Sequence, residues 1–430
     1  MHATSDNARP FYGWTMLVVA VFMAGATMPG QTVLVSLYKD EIGADIGLSL
    51  TSVALAYMVG TILAGLPLPV VGRIADRAGL RVTVFGVALA FAATLAGTRY
   101  VTGFATLTLA FFGIRFLGQG ALGMLSGHTI AMWFERRLGF AHALVAVLGF
   151  ALFGFVLQQP TAWLIAALGW RDALLALAGM VLLFTIPPVL FVFKNRPEDI
   201  GQHLDGDPVE HEVHDTTHGG PPPADDPAFT VREALATPAY WILLAHLVAS
   251  GFVGTALIFH MGPMMRQAGL EGSAAQVATA NMSWPVVFGI STLIVGPLAD
   301  RYTPNQLLPI SLVLMMLGTL AATLGVRAPG GAESVVPIMS GTMALFGASQ
   351  AIIVGVCNPA IARYYGRTHH GAIRGFVATA MVMGTGGGPY LVAACADWAG
   401  EDFAPALLLC ALITAPLALS LAWLRPPTKP

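Results

Sequence analysis

Long apolar runs alternate with short polar turns along the whole chain. Twelve runs stand out, at residues 11–37, 49–71, 80–98, 104–133, 140–168, 172–193, 238–264, 275–298, 307–326, 334–362, 372–395 and 404–424. An apolar helix of about 20 residues crosses the ~30 Å hydrocarbon core and satisfies its own backbone hydrogen bonds, as lipid requires. The pattern therefore predicts an all-α integral membrane protein with twelve transmembrane helices, numbered here as spans 1–12. The first run is too long for a signal-peptide core and reads as a retained span. Between spans 6 and 7 the composition turns acidic and histidine-rich, with Pro221-Pro-Pro, and is too poor in apolar residues to fold alone. The predicted layout is a six-helix bundle over 1–193, a linker over 194–237 and a second six-helix bundle over 238–430. The capping box Thr230-Val-Arg-Glu233 predicts a short interfacial helix at the linker's end.

The polar turns carry a repeat. Gly72-Arg-Ile-Ala-Asp-Arg-Ala-Gly-Leu-Arg81 follows span 2, and a weaker copy, Gly296-Pro-Leu-Ala-Asp-Arg-Tyr-Thr-Pro-Asn305, follows span 8. Asp76 and Asp300 are 300 − 76 = 224 residues apart, about half the chain. Met132-Trp-Phe-Glu-Arg-Arg137 and Arg363-Tyr-Tyr-Gly-Arg367 follow spans 4 and 10 in corresponding positions. Two related halves imply parallel repeats about an axis along the membrane normal, with a site near the midplane between them. With the N-terminus inside, fifteen lysines and arginines fall in inner loops and tails. Five (Lys39, Arg99, Arg171, Arg266 and Arg327) fall outside, and Arg115 lies within a span. The positive-inside bias predicts cytoplasmic N- and C-termini.

These residues resemble the major facilitator superfamily. Gly72, Asp76, Arg77, Gly79 and Arg81 match its loop between spans 2 and 3, and Arg115-Phe-Leu-Gly-Gln-Gly120 matches its span-4 signature. Phe11-Tyr-Gly-Trp14, Gly169-Trp-Arg171, Arg196-Pro-Glu-Asp-Ile-Gly201 and Phe259-His260 are similar to the bacterial monocarboxylate and oxalate/formate-type branch. The resemblance implies two pseudo-symmetric six-helix bundles, the major facilitator fold, working by alternating access. It also implies that Asp76 latches onto the entrance of span 11, where Arg374 sits, with Gly296, Asp300 and Arg301 as the weaker second latch.

Arg115 costs ~2.5–3.5 kcal/mol to place inside a span, so it needs a reason. It either faces the cavity as positive potential for an anion or hydrogen-bonds to backbone carbonyls of neighbouring helices. Gln119 shares its face. Thr27 and Gln31 of span 1, Gln158 of span 5, Asn281 and Trp284 of span 8, Gln350 and Asn358 of span 10, and Tyr390 of span 11 lie at midplane depth. Together they outline a small polar cavity. His260 and His246, 14 residues apart in span 7, share a face and are candidates for proton coupling. Gly123-x-x-x-Gly127 predicts close helix approach, and Gly384-Thr-Gly-Gly-Gly-Pro389 a bending point.

Composition limits the alternatives. Of 430 residues, 56% are hydrophobic and 10% charged, against about 25% charged in soluble domains. Cys357, Cys395 and Cys410 show no metal or redox spacing. His211, His214 and His218 sit in a glycine- and proline-rich stretch unsuited to a helical metal site. No phosphate-binding loop or nucleophile constellation occurs, so neither an enzyme nor an ATP-driven pump is expected. No metal, cofactor or nucleic-acid partner is expected either. The resemblance implies a cation in span 8, common to monocarboxylate-type carriers, and in the oxalate branch another in span 11; here span 8 has none and span 11 none after Arg374, so a dicarboxylate is not expected. The sequence thus predicts a monomeric secondary transporter of a small organic monoanion, by proton symport or anion exchange. An exporter of a neutral or amphipathic molecule, and a non-transporting sensor with a transporter fold, are the competing readings.

Overall fold

A computed structural model of the chain describes residues 10–206, 229–366 and 370–427. The side chains of Asp300 and Arg374 and the linker histidines His211, His214 and His218 lie outside the described ones. Among the described residues every regular element is a helix. Among the described residues nine helices are long and apolar enough to cross a membrane, and the bent pair Leu50–Ala64 and Leu68–Ala78, at 41°, makes a tenth. One of the nine, Leu138–Phe191, is 54 residues long and would reach ~80 Å, more than two bilayer cores. It breaks at Gly169, whose φ of 76° belongs to the left-handed region that glycine tolerates.

Span 2 lies along span 11 and span 5 along span 8, so the same kind of pair joins the two halves twice. Within the second half, span 9 packs on span 10 and span 7 on span 11. Large apolar side chains such as Leu66, Trp163, Phe191 and Leu324 stay exposed and face outward, as a lipid-facing surface allows.

Span 1 runs from Gly13 to Asp45, beyond the predicted end at residue 37. A tight turn at Met28–Gly30 interrupts it, and Tyr38 Oη donates to the Pro29 carbonyl at 2.9 Å across that break. Gly30 is required there: a Cβ would lie 2.7 Å from the Ile114 carbonyl oxygen. Span 4 widens to a π-helix over Ile114–Leu122 where it meets this turn. Arg115 sits at the start of the widened stretch, and such bulges are frequent at functional sites.

One glycine expectation needs correction. Gly123 faces open space, and Gly127 meets only the edge of His142, so the close approach falls to Gly30 and Gly118 instead, with Cα atoms near contact. The Gly384–Pro389 stretch lies inside one helix, His370–Trp398, with Pro389 in its interior. Its glycines serve packing: a Cβ on Gly388 would lie 2.3 Å from the Phe252 carbonyl oxygen, and one on Gly384 3.0 Å from that of Val248. Gly72 also meets nothing, whereas Gly79 is needed for its φ of 87°.

Part of the linker is also more ordered than its composition suggests. Asp205, with φ 57°, receives the backbone N–H groups of Glu135 (3.0 Å), Arg136 (2.7 Å) and Arg137 (3.3 Å). Its own N–H donates to the Trp133 carbonyl at 3.2 Å. The far end joins the second half: Phe229 N–H donates to the Tyr365 carbonyl at 3.3 Å, and the Thr230–Glu233 capping box forms as expected.

Candidate functional site

Four side chains from four spans form a continuous stack between the halves. The Arg115 guanidinium of span 4 lies 5.1 Å from the Tyr57 ring centroid of span 2. Tyr57 touches Phe259 of span 7, with centroids 4.7 Å apart. The Lys39 ammonium of span 1 lies 4.3 Å from the Phe259 ring. Both cations are buried, at 3% and 0% exposure, which decides that neither is a solvated surface charge. Arg115 donates to the Gly30 carbonyl at 3.1 Å and weakly to Thr32 Oγ1 at 3.4 Å, while its Nε has no partner among the described residues. Thr32 in turn shares a 2.7 Å hydrogen bond with Tyr57 Oη. No carboxylate pairs with Arg115 among the described residues. Lys39 pairs with Asp40, and Asp40 also receives Arg266 of the second half at 2.9 Å. Two cations therefore share one carboxylate at this end of the molecule. Lys39 corrects the sequence reading, which placed it in an exposed loop.

Around the stack the two halves are joined on the side away from the signature loop. Asn281 Nδ2 donates to Ser36 Oγ at 3.2 Å, Gln159 Nε2 to Thr279 Oγ1 at 2.9 Å, and Thr51 Oγ1 to Asp397. His260 is buried with Nε2 at 2.7 Å from the Pro389 carbonyl, beside Phe259 and Phe403. Its Nδ1, the Asn281 Oδ1 and the Gln158 Oε1 are buried without hydrogen-bond partners among the described residues. His246 is also buried, bonded to the Ile242 carbonyl at 2.7 Å.

The other predicted residues divide into pairs and singles. Gln31 Nε2 bonds Thr27 Oγ1 at 3.2 Å, and Trp284 Nε1 bonds Gln350 Oε1 at 2.8 Å. Gln158 Nε2 donates to the Gly154 carbonyl at 2.6 Å. Asn358 and Tyr390 are half-buried, and Gln119 is exposed, away from the Arg115 stack. Asp76 and Arg77 are exposed in the last turns of Leu68–Ala78, and Arg301 is exposed at the end of span 8.

The two loops do the same mechanical task with different side chains. Arg81 Nε donates to the Val189 carbonyl at 2.9 Å and its Nη2 to Leu190 at 2.5 Å, closing the free end of span 6. Residue 81 + 224 is Asn305, whose Nδ2 donates to the Leu424 carbonyl at the end of span 12, at 2.9 Å. In the first copy Gly79 supplies the turn; in the second, an extended Thr303 caps the next helix with Gln306. The offset read from the sequence is thus a spatial repeat.

The Major Facilitator Superfamily model matches residues 15–328 and 267–430. This chain belongs to that superfamily. It is therefore a multi-pass membrane transporter working by alternating access, and not an enzyme. Over 298 residues it is 27% identical to an uncharacterised 38 kDa protein in the 23S RNA operon of Thermoproteus tenax, covering 69% of this chain and 68% of that one. Two solved structures of a bacterial homologue of the human lysosomal transporter Spinster share the fold. The inward-facing, occupied form gives a TM-score of 0.64 at 13% identity, and the inward-facing, unoccupied form 0.63 at 15%. Both alignments cover 97% of this chain and 95% of the other.

The finer motifs of this superfamily member hold its first half together. Tyr12 Oη donates to the Val192 carbonyl at 2.7 Å, and the Gln202 side chain bonds both Tyr12 N–H (2.9 Å) and the Pro10 carbonyl (3.2 Å). Arg171 ties Asp45 at 2.5 Å and the Arg99 carbonyl at 3.2 Å.

Proposed function

We propose that this transporter moves a small organic monoanion, bound between Arg115 and Lys39. The observation that carries this reading is how those two cations are held: Arg115 by the Tyr57 face with no carboxylate among the described residues, and Lys39 by the Phe259 face and one carboxylate that it shares with Arg266. A ring face holds a cation by ~0.5–2 kcal/mol, whereas charge-assisted hydrogen bonds to a carboxylate are about twice as strong as neutral ones. When the halves part on this side, Phe259 and Arg266 leave with the second half. Lys39, Tyr57, Thr32 and Arg115 remain on one wall, and a substrate carboxylate takes the place of the ring. Lys39 thereby supplies a cation that spans 8 and 11 lack.

Counting Leu138–Phe191 as two passes and His370–Trp398 as one gives twelve spans, with bundles over 1–193 and 238–430 joined by the linker. The positive-inside bias favours both termini in the cytoplasm, and the resemblance to bacterial carriers favours a bacterial inner (plasma) membrane. The closure around Lys39 then lies outside, and the conformation is inward-facing. An exposed Asp76 fits a latch released in this state, engaging span 11 when the cytoplasmic side closes. His260, or the substrate's own carboxylate, carries the coupled proton. One chain supplies every group invoked, so a monomer suffices.

The test is counterflow in proteoliposomes with a panel of lactate, pyruvate, acetate and neutral amides of the same size. Acids should exchange and the amides should not, and Arg115→Gln should abolish the acid's thermal shift, since a ligand of the folded state raises its melting temperature. Amides exchanging as fast as acids would overturn the reading.

A further inference from the structure

The weaker copy of the loop leaves room that the stronger copy fills. In the first half the long Arg81 side chain spans the gap to the end of span 6. Its counterpart Asn305 is shorter and reaches only the Leu424 carbonyl. Beside it lies a cavity of about 290 Å³ between the span 8–9 loop and the end of span 10, with Pro426 at its edge.

The lining has two chemistries. Arg301 and Arg363 stand at it, with the hydroxyl-bearing Tyr302 and Thr303. Arg363 donates Nη1 to the Ala299 carbonyl at 3.0 Å, which fixes the direction of its guanidinium. Val356 and Ala360, both buried, make the inner wall apolar. Thr303 and Pro304 also open the 22-residue helix of span 9, whose N-terminal partial charge adds to the positive potential. Arginine forks match phosphate oxygens, and basic pockets between membrane helices at the headgroup level suit anionic lipids.

We propose that this cavity holds the phosphate of an anionic lipid head group, with the glycerol backbone against Val356 and Ala360. The ligand chemistry is a phosphate ester, and an apolar inner wall beside the two arginines favours an amphipathic lipid over a soluble compound. The site is separate from the Lys39–Arg115 stack and does not depend on the cargo.

The experiment is native mass spectrometry of delipidated protein titrated with phosphatidylglycerol or phosphatidylcholine of equal chain length. Phosphatidylglycerol should be retained preferentially, and Arg301→Gln should lower that preference by about fivefold, the contribution of one arginine at an anionic surface. Ala360→Leu, which fills the inner wall without altering charge, should lower it too. Arg232→Gln, at another exposed site, should not. Inorganic phosphate at low millimolar concentration should leave the lipid bound. Equal retention of both lipids would overturn the proposal, as would an equal effect of Arg232→Gln. Displacement by inorganic phosphate would overturn it in favour of a soluble phosphate compound.

Discussion

The Lys39 ammonium and the Phe259 ring face each other at 4.3 Å, one from each half of the chain. Such a contact contributes ~0.5–2 kcal/mol, so removing the ring should shift the balance of open and closed states by about 2- to 30-fold. Phe259→Leu keeps the bulk and loses the face. Spin labels at Ser49 and Glu401, both exposed, should then report a larger population with the two halves apart on that side. An unchanged distance distribution would mean that the ring does not hold the closure.

Asp40 should matter more than Arg266. Asp40→Asn leaves Lys39 buried without a carboxylate, and removing one partner of a buried pair costs ~3–5 kcal/mol. Arg266 is partly exposed, so Arg266→Gln strands nothing and should cost ~1 kcal/mol or less. Melting temperatures of the two variants in detergent check the order.

Gly388 and its neighbour make a matched pair. A Cβ at 388 meets the Phe252 carbonyl at 2.3 Å, while one at 387 meets nothing within 4 Å. Gly388→Ala should push spans 7 and 11 apart and abolish transport. Gly387→Ala should gain ~0.8–1.0 kcal/mol of helix propensity and keep transport. Uptake assays and thermal melts on both variants decide it.

The spatial repeat has an energetic signature. Arg81→Ala should cost ~2–3 kcal/mol, since two charge-assisted bonds to carbonyls go, while Asn305→Ala should cost ~1 kcal/mol for one neutral bond. Thermal unfolding of each variant should rank them in that order.

Acid should loosen the loop before span 12. The Ala404 N–H, 2.9 Å away, chiefly holds the Asp402 carboxyl below the usual carboxylate range, with Gln267 and Arg327 assisting against partial burial. A depressed carboxylate contributes stability that is full above its unfolded value of about 3.9 and is lost as pH falls through the folded one. Hydrogen exchange at Phe403 and Ala404 should therefore accelerate below about pH 4. Asp402→Asn should flatten that dependence.

Much of this was legible in the sequence. Span length, the paired loops and the Thr230 capping box depend on local patterns, which a chain displays directly. Lys39 was not read correctly because Lys-Asp-Glu looks like a loop, and Phe259 on its ammonium and Arg266 on its neighbour Asp40 lie more than 200 residues away. A signal did exist: Leu34, Tyr38 and Ile42 continue the helical spacing past residue 37, and all three are buried. Asp205 left no such trace, because its partners are three backbone N–H groups that carry no side-chain identity. The glycines of span 11 read as weakness when their use is proximity, which only the positions of Val248 and Phe252 reveal.

The two ends of the linker fasten at equivalent places, Asp205 on the loop after span 4 and Phe229 on the loop after span 10. Only 229 − 205 = 24 residues of chain separate these fastenings, with a contour of ~80 Å. A connection of that contour sets no short limit on the separation of the two fastenings. Each fastening ties its end of the linker to its own half. A protein cut between Asp205 and Phe229 and expressed as two polypeptides should still assemble, because each stump stays fastened to its own half.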